Sequence, residues 1–307
     1  SCHQINLEKF HDIVMKLGWN IHVAKGLWPN ADSFMNTSVT HDASSKLVLL
    51  SVGSLLCLTV SLSFLLISLE LNQLWMLSIH AAPILPTWVW SFINIGGDAW
   101  VVLLILLLAE KRSGEITSWV LKTWLTGAVL VQFFKIFFPM PRPANVLGKE
   151  MLSLIDHPPL FSGSMPSGHA LAAVSCALIL CTVLRQRGIS RSILLLISVF
   201  AGLVAWARVA VGAHWPSDVI AGIGLAFFVV TLTHFWESKH TWNQWLKSQH
   251  GTLLLVLIHI LIALHLLSPQ SDFFFVYLFQ LSLACLSLFK AISLIKEFLR
   301  LRANWLG

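Results

Sequence analysis

The stretch FSGSMPSGHALAAVSCALIL, Phe161–Leu180, sets a tight polar knot, Pro166-Ser167-Gly168-His169, directly against an apolar run. Such a knot reads as a turn followed by a helix cap. A helix is therefore predicted to begin here and to continue through residues that water would not welcome. The rest of the chain is of the same kind. Of 307 residues, 56% are apolar and 11% charged, with a mean hydropathy of +0.77. A soluble chain of this length needs a more charged surface. Apolar stretches of roughly 20 residues recur, the length a membrane-crossing helix needs. The ten-residue alternation of a transmembrane β-barrel is absent. The fold class is all-α, a polytopic membrane helix bundle.

Eight spans are predicted, at 47–69, 88–109, 117–138, 169–185, 191–210, 217–236, 252–268 and 273–295. Between the first two, Leu71–Pro86 carries Pro83 and Pro86 and reads as an interfacial or re-entrant helix. Lys46, Lys111, Arg112, Arg185, Arg187, Arg191, Lys239, Lys247, Lys296, Arg300 and Arg302 all fall on one side of this arrangement. The positive-inside rule makes that side cytoplasmic. A pI near 9.2 is thus a topology signal, and nucleic acid is not expected as a partner. Only Lys135, Arg142, Lys149 and Arg208 lie on the outer side.

Residues 1–46 read as an N-terminal cytoplasmic or interfacial segment. Phe10, Ile13, Val14 and Leu17 form an apolar stripe at helical spacing, so Leu7–Leu17 is either an amphipathic interfacial helix or part of a segment ahead of a natural start at Met35. Of five cysteines, Cys57, Cys176, Cys181 and Cys285 sit in apolar runs without metal-like spacing, as small buried residues do. No metal site is expected.

The outer face collects the chemistry. Lys135 ends the third span, and Arg142 follows in a loop that Pro139, Pro141 and Pro143 keep from being helical. Ser167, Gly168 and His169 open the fourth span, Arg208 closes the fifth, and His214 and Asp218 bracket the start of the sixth, where Pro216 suits a first helical position. Three cations around a helix N-terminus suit a phosphate, with open amides at Gly168 and His169 adding donors. Two histidines, one with a carboxylate four residues on, suit covalent phosphoryl transfer: a carboxylate orients the attacking imidazole, and the second histidine protonates a leaving oxygen. The cations neutralise the transferring group, so the chemistry requires no cofactor. Singly, each piece has a plainer reading: Lys135 as a snorkelling anchor, Arg142-Pro143 as a loop, the HxxxD as structure. In order and on one face, they point to one site.

Lys135-IFFPMP-Arg142-Pro143, Pro166-Ser167-Gly168-His169 and Arg208-VAVGA-His214-WPS-Asp218 resemble the three signature motifs of the type 2 phosphatidic acid phosphatase family, which shares its phosphate site with vanadium haloperoxidases. Ten motif positions match; Ala207 stands where the family usually has Ser. The resemblance implies a six-helix phosphatase core over 47–236; it says nothing about residues 237–307, which hydropathy and charge read as two additional transmembrane helices and a cytoplasmic tail. It implies His214 as nucleophile, Asp218 as its orienting group and His169 as proton donor. Lys135, Arg142, Ser167, Gly168 and Arg208 would bind the phosphoryl oxygens. The expected activity is hydrolysis of a membrane lipid's phosphomonoester or diphosphate on the extracytoplasmic face of a bacterial inner membrane. Isoprenoid diphosphate, phosphatidic acid, phosphatidylglycerol phosphate and lipid A phosphates are the candidate substrates, the first preferred. A phosphotransferase using the same phosphohistidine and a lipid or anion transporter are the alternatives, although the inverted repeats and mid-membrane helix breaks of many transporters are not evident. A haloperoxidase is disfavoured because those relatives are soluble.

Further polar residues receive plainer readings. His157 is taken as a loop residue, and His259 and His265, six apart, lie on different helix faces. Lys122 and Lys290 are expected to snorkel toward the cytoplasmic side. Asp98, after Gly96-Gly97, is left as a possible lateral support for the site.

Overall fold

The computed structural model describes residues 59, 60, 62, 70–81, 84–110, 115–152, 154–156 and 163–306. Residues 1–46, most of the first expected span, and Lys111, Arg112 and His157 lie outside them. Six described helices are long and apolar enough to cross a membrane, and the chain is an integral membrane protein. They include α4 (Glu115–Phe137), α6 (Gly168–Gln186), α7 (Arg191–Ala210) and α8 (Pro216–Lys239), followed by α10 (Gln249–Leu267) and α11 (Phe274–Leu306). Shorter helices are α1 (Leu71–Ala81), α2 (Thr87–Ile95), α3 (Ala99–Leu108), α5 (Pro143–Leu147) and α9 (Asn243–Leu246). At about 1.5 Å per residue, the 23 residues of α4 reach about 34 Å, longer than a hydrocarbon core of about 30 Å.

Local chemistry sets the helix ends. Ser167 caps α6 by accepting from the Ala170 amide, and Ser248 caps α10 by accepting from Gly251. Gly188, at φ +77°, takes the left-handed turn that lets the chain leave α6 for α7.

The second expected span is not one helix. It breaks into α2 and α3, which meet at 57°. Gly96 and Gly97 have low helix propensity, and Asp98 starts a new helix by accepting from the amides of Trp100 at 2.8 Å and Val101 at 3.1 Å. A polar cap inside an apolar run outweighs the continuity that hydropathy suggests.

Small residues bring the central helices together. The buried face of α6 carries Ala170, Ala172, Ala173, Cys176 and Ala177, against which α7 and α8 pack. In lipid no hydrophobic force drives helices together, so close backbone approach has to. Leu103, Leu104, Val120, Ile179, Ile262 and Leu266 form a buried core that joins α3, α4, α6 and α10. Outward, Leu195, Leu196, Val199 and Phe200 on α7 and Leu257 and Leu264 on α10 are exposed, as lipid contact requires. The last two helices pack on each other and reach the bent pair, with Trp88 on Phe275 and Phe92 on Phe279 at 5.4 and 4.9 Å between ring centres.

Lys122 does not snorkel. Its side chain is fully buried, donates to Glu237 and to the His240 carbonyl, and lies 5.1 and 4.9 Å from the rings of Trp236 and Trp242. A carboxylate and two aromatic faces on α8 and just beyond it satisfy the ammonium in place. Lys122→Ala leaves the carboxylate of Glu237 without its cation, with Ser118 Oγ still donating to it, and is expected to cost about 3 kcal/mol, read as a lower Tm in detergent. Lys122→Met with Glu237→Gln should recover much of that loss.

Candidate active site

Four helix ends, those of α4, α6, α7 and α8, converge with the Phe138–Arg142 loop. Main-chain bonds splice the three motif stretches. The Ser164 amide donates to the Met140 carbonyl at 2.9 Å, and the Ser167 amide to the Asp218 carbonyl at 2.9 Å. Side chains complete the splice: Arg142 Nη1 donates to the Ala213 carbonyl, and Trp215 Nε1 to the Pro141 carbonyl, each at 2.8 Å. All eight predicted residues, Lys135, Arg142, Ser167, Gly168, His169, Arg208, His214 and Asp218, thereby come to one end of the bundle.

Asp218 is fully buried. Its Oδ2 accepts from the Trp215 amide at 2.9 Å and from Ser164 Oγ, and lies 3.3 Å from His214 Nδ1. With Nδ1 facing the carboxylate, Nε2 is the nitrogen left to react. Burial pushes the His214 imidazole well below its ordinary pKa, and the charges of Arg208, Arg142 and Lys135 push the same way. The ring is therefore neutral at physiological pH, the form that can attack. Burial also lowers Arg142, while the Asp218 carboxylate opposes the shift.

Arg208 is buried and held by Asn94, whose Oδ1 accepts from Nη1 at 2.5 Å. Its Nε makes no hydrogen bond among the described residues, leaving a donor for an oxyanion. The first amides of α6 have no intrahelical acceptor and add dipolar donors beside Lys135. His169 is half-buried at the same mouth. Gly97 packs on it so closely that a Cβ there would lie 3.0 Å from His169 Cβ. The arrangement combines a neutral imidazole on a buried carboxylate, a cluster of three cations and a second imidazole.

Several contributors were missed by sequence reading. Ser164 supports Asp218, Asn94 holds Arg208, and Asn72 on α1 clamps the start of α8, donating to Ser217 Oγ at 2.8 Å and accepting from the Ser217 amide at 3.1 Å. Asn72 and Asn94 lie far from the motifs in sequence, and single amides in apolar helices carry no spacing signal. Ser164, two residues before Pro166, was within reach: a hydroxyl beside a turn is a natural partner for a buried carboxylate.

A model of the PAP2 superfamily matches residues 116–242, from α4 to the end of α8 and thus across all three motifs. Over this segment the chain is similar to the PAP2 superfamily. The chain is also similar to an undecaprenyl-diphosphatase of Sulfolobus acidocaldarius, 35% identical over 123 residues. That alignment takes in 40% of this chain and 56% of the relative, so the chain spans just over half the relative's length. Among solved structures, LpxE of Aquifex aeolicus is 25% identical with a TM-score of 0.42, covering 55% of this chain and 96% of that one. The first transmembrane PAP2 type phosphatidylglycerolphosphate phosphatase from Bacillus subtilis is 20% identical with a TM-score of 0.46, covering 61% and 96%. The bent pair α2–α3 and the hairpin α10–α11 lie outside the PAP2-matched segment.

Within this matched segment α8 comes very close to α6 at Gly222, where a Cβ would lie 2.5 Å from the Ser167 carbonyl oxygen and 3.1 Å from Ala170 Cβ. Gly222→Ala must move backbone at the mouth of the site and is expected to cost about 2 kcal/mol. Gly202→Ala on α7, where a Cβ meets nothing within 4 Å, should be neutral or gain up to about 1 kcal/mol. Paired thermal melts in detergent check the contrast.

Proposed function

We propose that the chain is a membrane lipid phosphatase that works through a phosphohistidine. The observation that carries this reading is the buried His214–Asp218 pair set among Lys135, Arg142 and Arg208, with His169 across the same mouth. His214 Nε2 attacks phosphorus while the bond from phosphorus to the lipid oxygen breaks, and His169 gives its proton to that oxygen. Water then attacks phosphorus while the phosphorus–Nε2 bond breaks with its electron pair returning to His214, His169 takes a proton from the water, and phosphate leaves. The three cations, Ser167 and the Gly168 amide balance charge on the phosphoryl oxygens throughout.

The site opens to the extracytoplasmic face in this reading. Arg185, Arg187, Arg191, Lys239 and Lys247 lie at the opposite helix ends, which the positive-inside rule turns to the cytoplasm. A bacterial inner membrane remains the proposed location. The Sulfolobus acidocaldarius relative supports an isoprenoid diphosphate as the first substrate to test.

The test is phosphate release by wild type and His214→Ala in mild detergent with EDTA. Undecaprenyl diphosphate, phosphatidic acid, phosphatidylglycerol phosphate and lipid A serve as substrates. His214→Ala should lose at least about 10⁴-fold in rate; equal rates in both proteins overturn the assignment. A phosphorylated acceptor lipid in place of free phosphate would make the protein a phosphotransferase, and lipid uptake by proteoliposomes without phosphate release a transporter. The pH profile gives a second check. His214 must be neutral to attack, and its pKa lies below the ordinary 6.5, so the attacking form persists as pH falls past that value. The acid limb of kcat/KM is therefore expected below pH 6.5; a limb at or above it contradicts a buried neutral nucleophile.

A further inference from the structure

The bend between α2 and α3 brings a second acidic group to the site. Asp98 Oδ1 caps α3, which leaves Oδ2 to pair with His265 Nε2 at 3.0 Å. His265 lies in the last turn of α10, and its ring packs on Trp100 with 5.8 Å between ring centres. Ser91 Oγ on α2 pairs with Ser271 Oγ, in the turn between α10 and α11, at 2.6 Å. The C-terminal hairpin is thus fastened at two points to the bent pair, outside the PAP2-matched segment.

Asp98, His265, His169 and Lys135 line one cavity of about 330 Å³ between α3, α4 and α6. The backbone of Gly97, next to Asp98, is packed against His169. The charged and titratable groups acting on His169 are Arg208 from α7, Asp98 from the bend, His214 from the loop before α8 and Lys135 from α4. Among the described residues Asp98 is the acid in that set. A proton-donating imidazole surrounded by cations needs a nearby negative charge to keep its proton until the leaving oxygen takes it.

We propose that Asp98 and His265 are a positioning pair for His169: the carboxylate supports the imidazole as proton donor through its charge, and His265 fixes the carboxylate. The pair touches neither the phosphoryl group nor the nucleophile. The proposal rests on the phosphatase reading above and gives the last two helices a part in the reaction.

The experiment follows kcat and KM against pH for wild type, Asp98→Asn and His265→Gln in detergent, with undecaprenyl diphosphate and dioctanoyl phosphatidic acid as substrates. Asn is as good a helix cap as Asp, so Asp98→Asn keeps α3 and removes the charge. Asp98→Asn is expected to lower kcat by about 10–100-fold while KM changes less than about 3-fold. It should also move the alkaline limb of kcat to lower pH by roughly one unit. His265→Gln, which retains a donor toward Asp98, should shift the limb the same way by less. A limb that stays in place overturns the proposal, even if kcat falls, because a purely structural pair would scale the profile without moving it. So does a kcat for Asp98→Asn within about 3-fold of wild type. A wild type that releases no phosphate from either lipid overturns the phosphatase reading instead, and this inference with it.

Discussion

The carboxylate of Asp218 has no access to solvent. A buried carboxylate is tolerable only where donors surround it, and here the donors come from different parts of the chain: Ser164 from the loop before α6, and the Trp215 amide and His214 from the turn before α8. The carbonyl of the same residue takes the Ser167 amide. This one residue therefore fixes where α6 begins relative to α8. That in turn sets the distance between the His214 imidazole and the amides and cations gathered at the start of α6.

Such a knot needs its helices close. In the bilayer the approach comes from small side chains rather than from solvent exclusion. Gly222 meets the Ser167 carbonyl with no room for a methyl, and the alanines of α6 let α7 bring Arg208 to the same level. The opposite end is closed by different means. Lys122 is buried against Glu237, Trp236 and Trp242, so one end of α4 and α8 is locked by an internal ion pair while the other carries the reactive groups. Placing reactive side chains on rigid helix ends holds their geometry better than a long loop would.

The break at Gly96–Asp98 gives the bundle its asymmetry. Three consecutive functions fall on five residues: Asn94 holds Arg208, Gly97 backs His169, and Asp98 receives His265. On a straight helix the i, i+3 and i+4 spacing of these residues would already stack them on one face, with every backbone amide bonded within the helix. The 57° bend instead opens the amides of Trp100 and Val101 to Asp98 Oδ1 and leaves Oδ2 for His265, which gives the C-terminal hairpin something polar to grip.

Hydropathy alone determined the helical membrane class and the bounds of the last six spans to within a few residues, apart from the far end of α11, which runs on to Leu306, because in lipid a backbone must satisfy itself and helices do so locally. The motif residues were legible for a similar reason: capping chemistry, proline positions and the four-residue step from His214 to Asp218 act over one helical turn. What tertiary structure decided are the pairings that span the chain, Asn72 with Ser217, Asn94 with Arg208 and Asp98 with His265. It also decided that Lys122 turns inward rather than toward the surface. Each depends on a partner more than 100 residues away. No local pattern encodes such a partner; it is set only when helix packing brings two desolvated polar groups within bonding distance.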